Sequence, residues 1–145
     1  MADQTTQSIE IAAPAERVMA VIADLPSYPT WADGITRADV LETDPAGRPT
    51  QVRLTLEKAV VKDEYTLAYD WAADGLSVHW HLVKGQMQKA QNGSYVLVER
   101  DGRTTVTYTL SVELNIPMIG LLRRKAEKVI IDTALKELRR RVEAG

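Results

Sequence analysis

The chain has 145 residues, of which 45% are hydrophobic and 26% are charged, so it can build one hydrophobic core and global disorder is excluded. Its formal net charge of −2 argues against a dedicated nucleic-acid-binding domain, because such domains are usually strongly basic. The sequence contains no cysteine, which excludes disulfides, thiolate metal sites, iron–sulfur clusters and catalytic thiols. We therefore expect one domain over residues 1–145.

The beginning of the sequence carries no targeting signal. Its first eight residues include neither the basic region nor the apolar stretch of a secretory signal peptide. No apolar run reaches the ~18 residues that are needed to cross a bilayer. We expect a soluble, cytoplasmic protein.

The first predicted elements are a strand and two helical segments. Residues 5–12 predict a strand. Pro14 suits the first turn of the helix that follows, because the N–H that proline lacks would be unpaired there. This helix is expected to end at Asp24. Residues 27–34 predict a short helix or turn that points large side chains such as Trp31 inward.

The middle of the chain alternates apolar and polar residues with a period of two, which is typical of strands with one buried and one solvated face. The six predicted strands cover residues 35–45, 49–59, 62–72, 77–84, 87–100 and 103–115. The connections between them are too short for crossover helices, so we expect antiparallel pairing. Gly93 interrupts the fifth of these strands and indicates a bulge.

The hydrophobic period returns to 3.6 after Pro117, which predicts a helix over about residues 118–142. Its predicted apolar stripe consists of Leu122, Ala126, Val129, Ile130, Thr133, Ala134 and Leu138. At 1.5 Å per residue this helix is roughly 35–38 Å long, enough to lie across a sheet. The predicted fold class is α+β in the order β-α-α-β6-α, with a curved antiparallel sheet wrapped around the C-terminal helix.

We expect a gap between the sheet and this helix, because one helix cannot close a large twisted sheet completely. The inward positions are rich in tyrosine and tryptophan, whose polar atoms need partners when they are buried, and phenylalanine is absent. We interpret these positions as the wall of a ligand cavity; the alternative is an ordinary core with incidental hydrogen bonds. The predicted lining residues are Trp31, Leu54, Leu56, Leu67, Tyr69, Trp71, Trp80, Leu82, Tyr95, Tyr108, Leu122, Ala126, Val129, Ile130 and Thr133.

Several segments resemble the START-like, Bet v1-like superfamily. They are Ile9–Val18, Asp24–Trp31 and Gly93–Leu97, and the strand Thr105–Tyr108, which is followed by Ile116-Pro117 and a long basic helix. The chain is most similar to the polyketide cyclase/dehydrase and lipid-transport branch. This resemblance implies a helix-grip fold around a cavity that holds a lipid, polyketide, isoprenoid or quinone-like molecule. A fold alone does not assign a reaction.

The sequence shows no strong catalytic motif. His79 and His81 alternate to the polar face of their predicted strand, so no metal site is expected. No serine nucleophile elbow and no phosphate-binding loop is present, and no cofactor is expected. Tyr65 and Tyr69 are the catalytic candidates, as hydrogen-bond donors to a bound polyketide-like chain.

Two charged residues bear on this chemistry. Asp63 alternates inward close to the start of a strand and is a candidate acid or base. The resemblance implies that cyclases of this superfamily steer their substrate with arginine and tyrosine in the cavity. Arg53 alternates outward, and an inward arginine is not evident in the sequence.

The C-terminal segment is basic, since residues 121–145 contain eight basic and four acidic side chains. Arg123, Arg124 and Lys125 lie near the start of the predicted helix, the unfavourable end for cations. We expect them to pair with acidic groups of the sheet or to contact anionic head groups.

The expected partner is a hydrophobic small molecule, with no nucleic acid, and the chain is expected to be a monomer. The main functional hypothesis is the binding of a hydrophobic small molecule with little or no catalysis. The alternatives are a polyketide cyclase or dehydratase that uses neither a metal nor a covalent nucleophile, and a protein-interaction module.

Overall fold

The chain folds into a seven-stranded sheet and three helical segments within residues 4–58, 61–115 and 120–144, the part that the computed structural model describes. The strands are β1 (Thr5–Ile11), β2 (Ile35–Thr43), β3 (Pro49–Lys58), β4 (Val61–Trp71), β5 (Ser77–Gly85), β6 (Gln88–Arg100) and β7 (Arg103–Leu114). The α-helices are α1 (Ala15–Ala23) and α2 (Gly120–Glu143), and a 3₁₀ helix covers Leu25–Thr30. These elements confirm the predicted order and fold class.

The strands are ordered β1-β7-β6-β5-β4-β3-β2, and every neighbouring pair is antiparallel. Strands β2 to β7 form consecutive hairpins, as their short connections predict. The hairpin that joins β6 to β7 turns through Asp101 and Gly102, which have φ values of 55° and 77°. Two successive positive φ values match the right-handed twist of the strands, and Asp-Gly is a favoured pair for them.

The prediction of a bulge at Gly93 is wrong. Gly93 pairs in register with Trp80 on β5 and Leu110 on β7, and the irregularity of β6 lies instead between Gln88 and Ala90. Gly93 has a steric role, because a Cβ at this position would lie 2.3 Å from two carbon atoms of the Trp80 ring. Its missing side chain allows the indole to lie flat against β6.

One end of the sheet is closed by α1 and the 3₁₀ helix. Val18, Ile22 and Leu25 are fully buried there. The N-terminus of α1 has no cap from its own flanking side chain. Instead, the N–H of Ala15 donates to Oε1 of Glu99 on β6 over 2.7 Å, so a distant strand satisfies an otherwise unpaired helix donor.

The C-terminal helix packs on β1 and β7 with a face that differs from the predicted stripe. Its buried hydrophobic side chains are Ile131, Leu135, Leu138 and Val142. Val129 is 60% exposed and Ile130 is 46% exposed. The sequence holds two apolar rows at helical spacing, and the row that meets the sheet edge is the one that includes Leu138. The prediction is therefore confirmed for Leu138 and in part for the half-buried Ala134, and it is wrong for the exposed Ala126, Val129 and Ile130; the side chain of Leu122 lies outside the described residues.

A buried carboxylate fastens α2 to the sheet edge. Glu127 is 1% exposed, and its two oxygens accept 2.7 Å hydrogen bonds from Thr5 Oγ1 and the Val112 N–H. The pairing of β1 with β7 begins at Thr5 and Leu110, so Val112 lies beyond the end of β1. Glu127 thus satisfies an edge N–H that β1 does not reach. No helix in the described part of the chain is long and apolar enough to cross a membrane.

Candidate functional site: the concave face of the sheet

Five aromatic rings form a continuous cluster on the concave face. Tyr69 and Trp71 on β4 are stacked with their ring centres 5.7 Å apart, and Tyr69 lies 5.9 Å from Trp80 on β5. The Trp80 ring is 5.3 Å from Tyr95 on β6 and 5.7 Å from Tyr108 on β7. Tyr95 and Tyr108 complete the cluster at 4.6 Å. The period-two alternation places all five rings on one side of the sheet, as predicted.

The two indole N–H groups of this cluster have protein partners. Trp71 Nε1 donates to the carbonyl of Pro49 over 2.6 Å, and Trp80 Nε1 donates to Gln91 Oε1 over 2.9 Å. These bonds hold both rings in place, because a buried indole N–H is costly to leave unpaired. The two tryptophans form a fixed part of the wall.

The tyrosine hydroxyls of the concave face, unlike the two indole N–H groups, lack hydrogen-bond partners in the described residues. Those of Tyr65, Tyr69, Tyr95 and Tyr108 make no hydrogen bond to another described residue. Among the described residues, the fully buried side-chain polar atoms without a partner are Thr66 Oγ1 and Arg123 Nε. The four hydroxyls are not among them, so each keeps surface that a water molecule can reach. These hydroxyls can therefore form hydrogen bonds with a molecule that lies against the concave face.

These hydroxyls stay protonated at neutral pH. Burial raises the pKa of Tyr69 and Tyr108 well above the ordinary value, and neighbouring tyrosines raise it further. Tyr95 shows the same direction, because burial raises its pKa and the charges of Tyr69 and Glu137 add to the effect. Each phenol can therefore donate a hydrogen bond to a ligand, but it is a weak acid.

The apolar wall is unevenly covered along the strands. The inward side chains of Val52, Leu67 and Val78 on β3, β4 and β5 are buried. Leu82, which pairs with Leu67, and Leu56, which pairs with Asp63, remain half-buried although they face inward. Apolar side chains on the inner face that stay partly uncovered indicate room that the protein itself does not fill.

The same wall carries a chain of polar side chains that ends at Asp63, the pairing partner of Leu56. Trp80 Nε1 donates to Gln91 Oε1, Gln91 Nε2 donates to Gln88 Oε1 over 2.6 Å, and Gln88 Nε2 donates to Asp63 Oδ2 over 3.0 Å. The other Asp63 oxygen accepts the Met87 N–H at 3.0 Å. Asp63 faces inward and is buried, as its alternation predicts.

The remaining predicted residues fall into three groups. Leu54 is buried on β3, and Trp31 is half-buried and forms an edge-to-face pair with Tyr28 at 4.9 Å. Ala126 is exposed on α2 and Thr133 is half-buried. The side chain of Leu122 lies outside the described residues.

The histidines and the basic residues near the start of α2 lie away from the aromatic cluster. His79 and His81 are exposed on the convex face, where they border a surface depression together with Asp70. Arg124 and Lys125 are exposed, whereas Arg123 is half-buried and its Nε atom is buried without a hydrogen-bond partner in the described part of the chain. Contact of this cluster with head groups stays a prediction.

A family model described as polyketide cyclase / dehydrase and lipid transport matches residues 11–139, which is most of the chain. The chain belongs to this family. A comparison of the sequence with curated proteins gave no significant match.

Solved structures resemble this family member over its full length. A START superfamily protein from Mycobacterium smegmatis is similar with a TM-score of 0.91 and 25% identity, and 97% of each chain is covered. A protein from Thermus thermophilus is similar with a TM-score of 0.82 and 24% identity over 98% of both chains. The Zhui aromatase/cyclase from a Streptomyces species has a TM-score of 0.80 at 16% identity, over 99% of this chain and 94% of that one. The first of these supports the predicted superfamily, and the third shows the shared fold.

Sequence reasoning missed two features of this polyketide cyclase / dehydrase and lipid transport family member. Gln88 and Gln91 gave no signal, because the contact of Gln88 with Asp63, and that of Gln91 with Gln88, depends on the irregular pairing at the start of β6. Glu127 has the pattern of a solvated helix residue, and only the position of α2 beside the end of β1 reveals its partners.

Proposed function

We propose that the protein binds a hydrophobic small molecule, such as a lipid, polyketide, isoprenoid or quinone-like compound, between the concave face of the sheet and α2. The observation that carries this proposal is the linked aromatic wall, whose tyrosine hydroxyls lack protein partners in the described residues and remain accessible to water. Half-buried Leu56 and Leu82 on the same face support it. Desolvation supplies the affinity: full burial of about 300 Å² of apolar ligand surface contributes about 7–8 kcal/mol before ordering costs.

The proposed wall retains most of the predicted lining. It consists of Trp31, Leu54, Leu56, Leu67, Tyr69, Trp71, Trp80, Leu82, Tyr95 and Tyr108, with Ile130 and Thr133 as candidates on α2. Val129 is left out because it is 60% exposed, whereas Thr133, one turn further along the same face, is half-buried.

The experiment is native mass spectrometry of the freshly purified protein, followed by organic extraction. We expect a bound lipophilic molecule, or a rise in melting temperature when a lipophilic compound is added. A Leu82→Trp variant fills the half-covered part of the wall and should abolish both signals. Val83→Trp is the matched control, because Val83 is the next residue and is exposed on the convex side. Equal loss in both variants, or no ligand and no thermal shift in the parent protein, contradicts the proposal.

A second function, cyclisation or dehydration of a bound polyketide-like chain, is favoured by the unpaired hydroxyls of Tyr65 and Tyr69. Both phenols are neutral donors that could orient a ketone oxygen of the chain. Tyr65→Phe or Tyr69→Phe should then lower the turnover of a synthetic poly-β-keto chain at least tenfold without weakening its binding. Tyr28→Phe is the control, because the Tyr28 hydroxyl already donates to the Ile22 carbonyl over 2.6 Å. Unchanged turnover in both test variants would rule out these tyrosines as donors.

A further inference from the structure

The inner wall contains a buried carboxylate, that of Asp63. Asp63 is 3% exposed, and it makes no ion pair with any described residue. A buried charge is normally paired or well hydrogen-bonded, because desolvation is costly. Each Asp63 oxygen accepts one N–H bond, from Met87 or Gln88, although a carboxylate offers about four acceptor positions. Acceptor capacity and negative charge therefore remain at this point of the wall.

Gln88 and Gln91 each have one amide N–H that the hydrogen-bond chain to Asp63 does not use. In this series of hydrogen bonds Trp80 donates to Gln91, Gln91 donates to Gln88 and Gln88 donates to Asp63. The shared direction of donation holds both amides in one orientation. An amide nitrogen carries two N–H groups, and each of these uses one within the chain. Gln91 is half-buried, so its second N–H can meet a group in the interior.

Tyr65 adds a hydroxyl beside Gln88. A Cβ on Gly85 would lie 3.1 Å from the Gln88 carbonyl oxygen, 3.4 Å from Tyr65 Cβ and 3.5 Å from Gln88 Cβ, so the glycine allows Tyr65 and Gln88 to pack close together on either side of it. The Tyr65 hydroxyl has no partner among the described residues. Burial raises its pKa, and the charge of Asp63 raises it further, which places the phenol within the field of the carboxylate.

We propose that Asp63, Tyr65, Gln88 and Gln91 form a polar subsite that binds a hydroxyl group of an otherwise apolar ligand and rejects a carboxylate. A hydroxyl both donates and accepts, which matches a phenol and an amide N–H next to a carboxylate. A carboxylate only accepts, and it would bring a second negative charge into a buried site. Gln91 and Tyr65 make the direct contacts, whereas Asp63 sets the preference through its charge. This inference rests on the proposed ligand-binding function and names its ligand class, a lipophilic alcohol or phenol.

The test compares two ligands with the same alkyl chain, 1-decanol and decanoate, by displacement of the neutral dye Nile red at neutral pH. The parent protein should bind 1-decanol at least tenfold more tightly than decanoate. Equal affinities, or a preference for decanoate, would overturn the subsite while leaving the ligand-binding proposal intact. If neither compound nor the dye binds, the ligand-binding proposal itself fails.

Asp63→Asn assigns the preference to the carboxylate. Its side-chain oxygen can still accept the Met87 N–H, so we expect decanoate to gain at least tenfold in affinity while 1-decanol changes less than threefold. Asp70→Asn is the matched control, because it makes the same change on the exposed convex side of β4 and should alter neither affinity. An unchanged ratio in Asp63→Asn, or the same gain in Asp70→Asn, contradicts the proposal. If Asp63→Asn does not fold, Tyr65→Phe decides the matter: a loss of 1-decanol affinity with decanoate unchanged supports the subsite, and no loss overturns it.

Discussion

Trp80 is the residue on which the concave face is organised. Its ring contacts Tyr69, Tyr95 and Tyr108, its N–H begins the polar chain to Asp63, and its flat face covers Gly93. Aromatic contacts of this kind contribute about 0.5–1.5 kcal/mol each beyond the burial of area. A change that displaces this one ring should therefore disturb both the apolar and the polar parts of the wall.

Gly93→Ala tests that arrangement. The added methyl group would lie 2.3 Å from the ring carbons of Trp80, so the indole must move, and we expect a loss of about 1–3 kcal/mol in the free energy of unfolding. Urea denaturation followed by tryptophan fluorescence measures it. Asn92→Ala, on the exposed face next to it, should change the stability by less than about 0.5 kcal/mol. Equal stability of Gly93→Ala and the parent protein would contradict the close contact.

The five tyrosines predict an unusual alkaline titration. Burial raises the pKa of all of them, Tyr28, Tyr65, Tyr69, Tyr95 and Tyr108, above the ordinary value of about 10. The unfolded chain ionises first, so their contribution to stability is complete below about pH 10 and is lost as the pH rises further. Phenolate absorbance of the folded protein should stay low until the protein unfolds, whereas the protein in guanidinium should titrate near pH 10. Two or more phenols ionising near pH 10 in the folded protein would refute this.

Much of the residue-level description was accessible from alternation alone. Trp71, Trp80 and Tyr95 were placed inward correctly, because a period of two leaves only two faces to choose from. The partners of Asp63 were not accessible, since the register shift between Gln88 and Ala90 decides which side chains reach it. Gly93 was misread because a glycine in a strand marks either a bulge or a close approach, and only the position of the facing ring decides between them.

At the scale of elements, the hydrophobic periodicity of α2 does not determine which face of the helix packs on the sheet. Two apolar rows run along this helix, and the sheet edge formed by β1 and β7 selects the row with Ile131 and Leu135. Helix length and position followed from the sequence, whereas its rotation depends on what the sheet presents. The carboxylate of Glu127 fixes that rotation near the start of the helix.

Glu127→Ala should therefore loosen the first turns of α2. It leaves the Val112 N–H without its partner and removes a charge-assisted bond, so we expect a loss of about 1–3 kcal/mol in unfolding free energy. Hydrogen exchange should accelerate at the Val112 amide and along the start of the helix. Glu64→Ala, which removes an exposed carboxylate of β4, is the control and should leave that exchange unchanged. Unaltered protection of Val112 in Glu127→Ala would show that the carboxylate does not hold the edge.

At the scale of the whole molecule, the fold was predictable because the hydrophobic patterns of the elements and the lengths of their connections indicate the same architecture. Short connections require antiparallel hairpins, and the strand of residues 5–11 closes the sheet against the last strand. The match to the polyketide cyclase / dehydrase and lipid transport family over residues 11–139 carries the same conclusion. The ligand was not predictable from the sequence. The polar side chains that would distinguish one lipophilic ligand from another come from separate strands, and only the folded sheet brings them together.

The most direct measurement is a crystal structure of the protein grown with 10-bromo-1-decanol, using the anomalous signal of bromine to locate the tail. The account predicts one bromine position on the concave side, against the wall that contains Trp80 and Tyr108, with the hydroxyl end toward Gln91. Bromine found only on the convex side near His79 and His81, or no ordered bromine with Trp80 and Tyr69 packed solidly against α2, would contradict it.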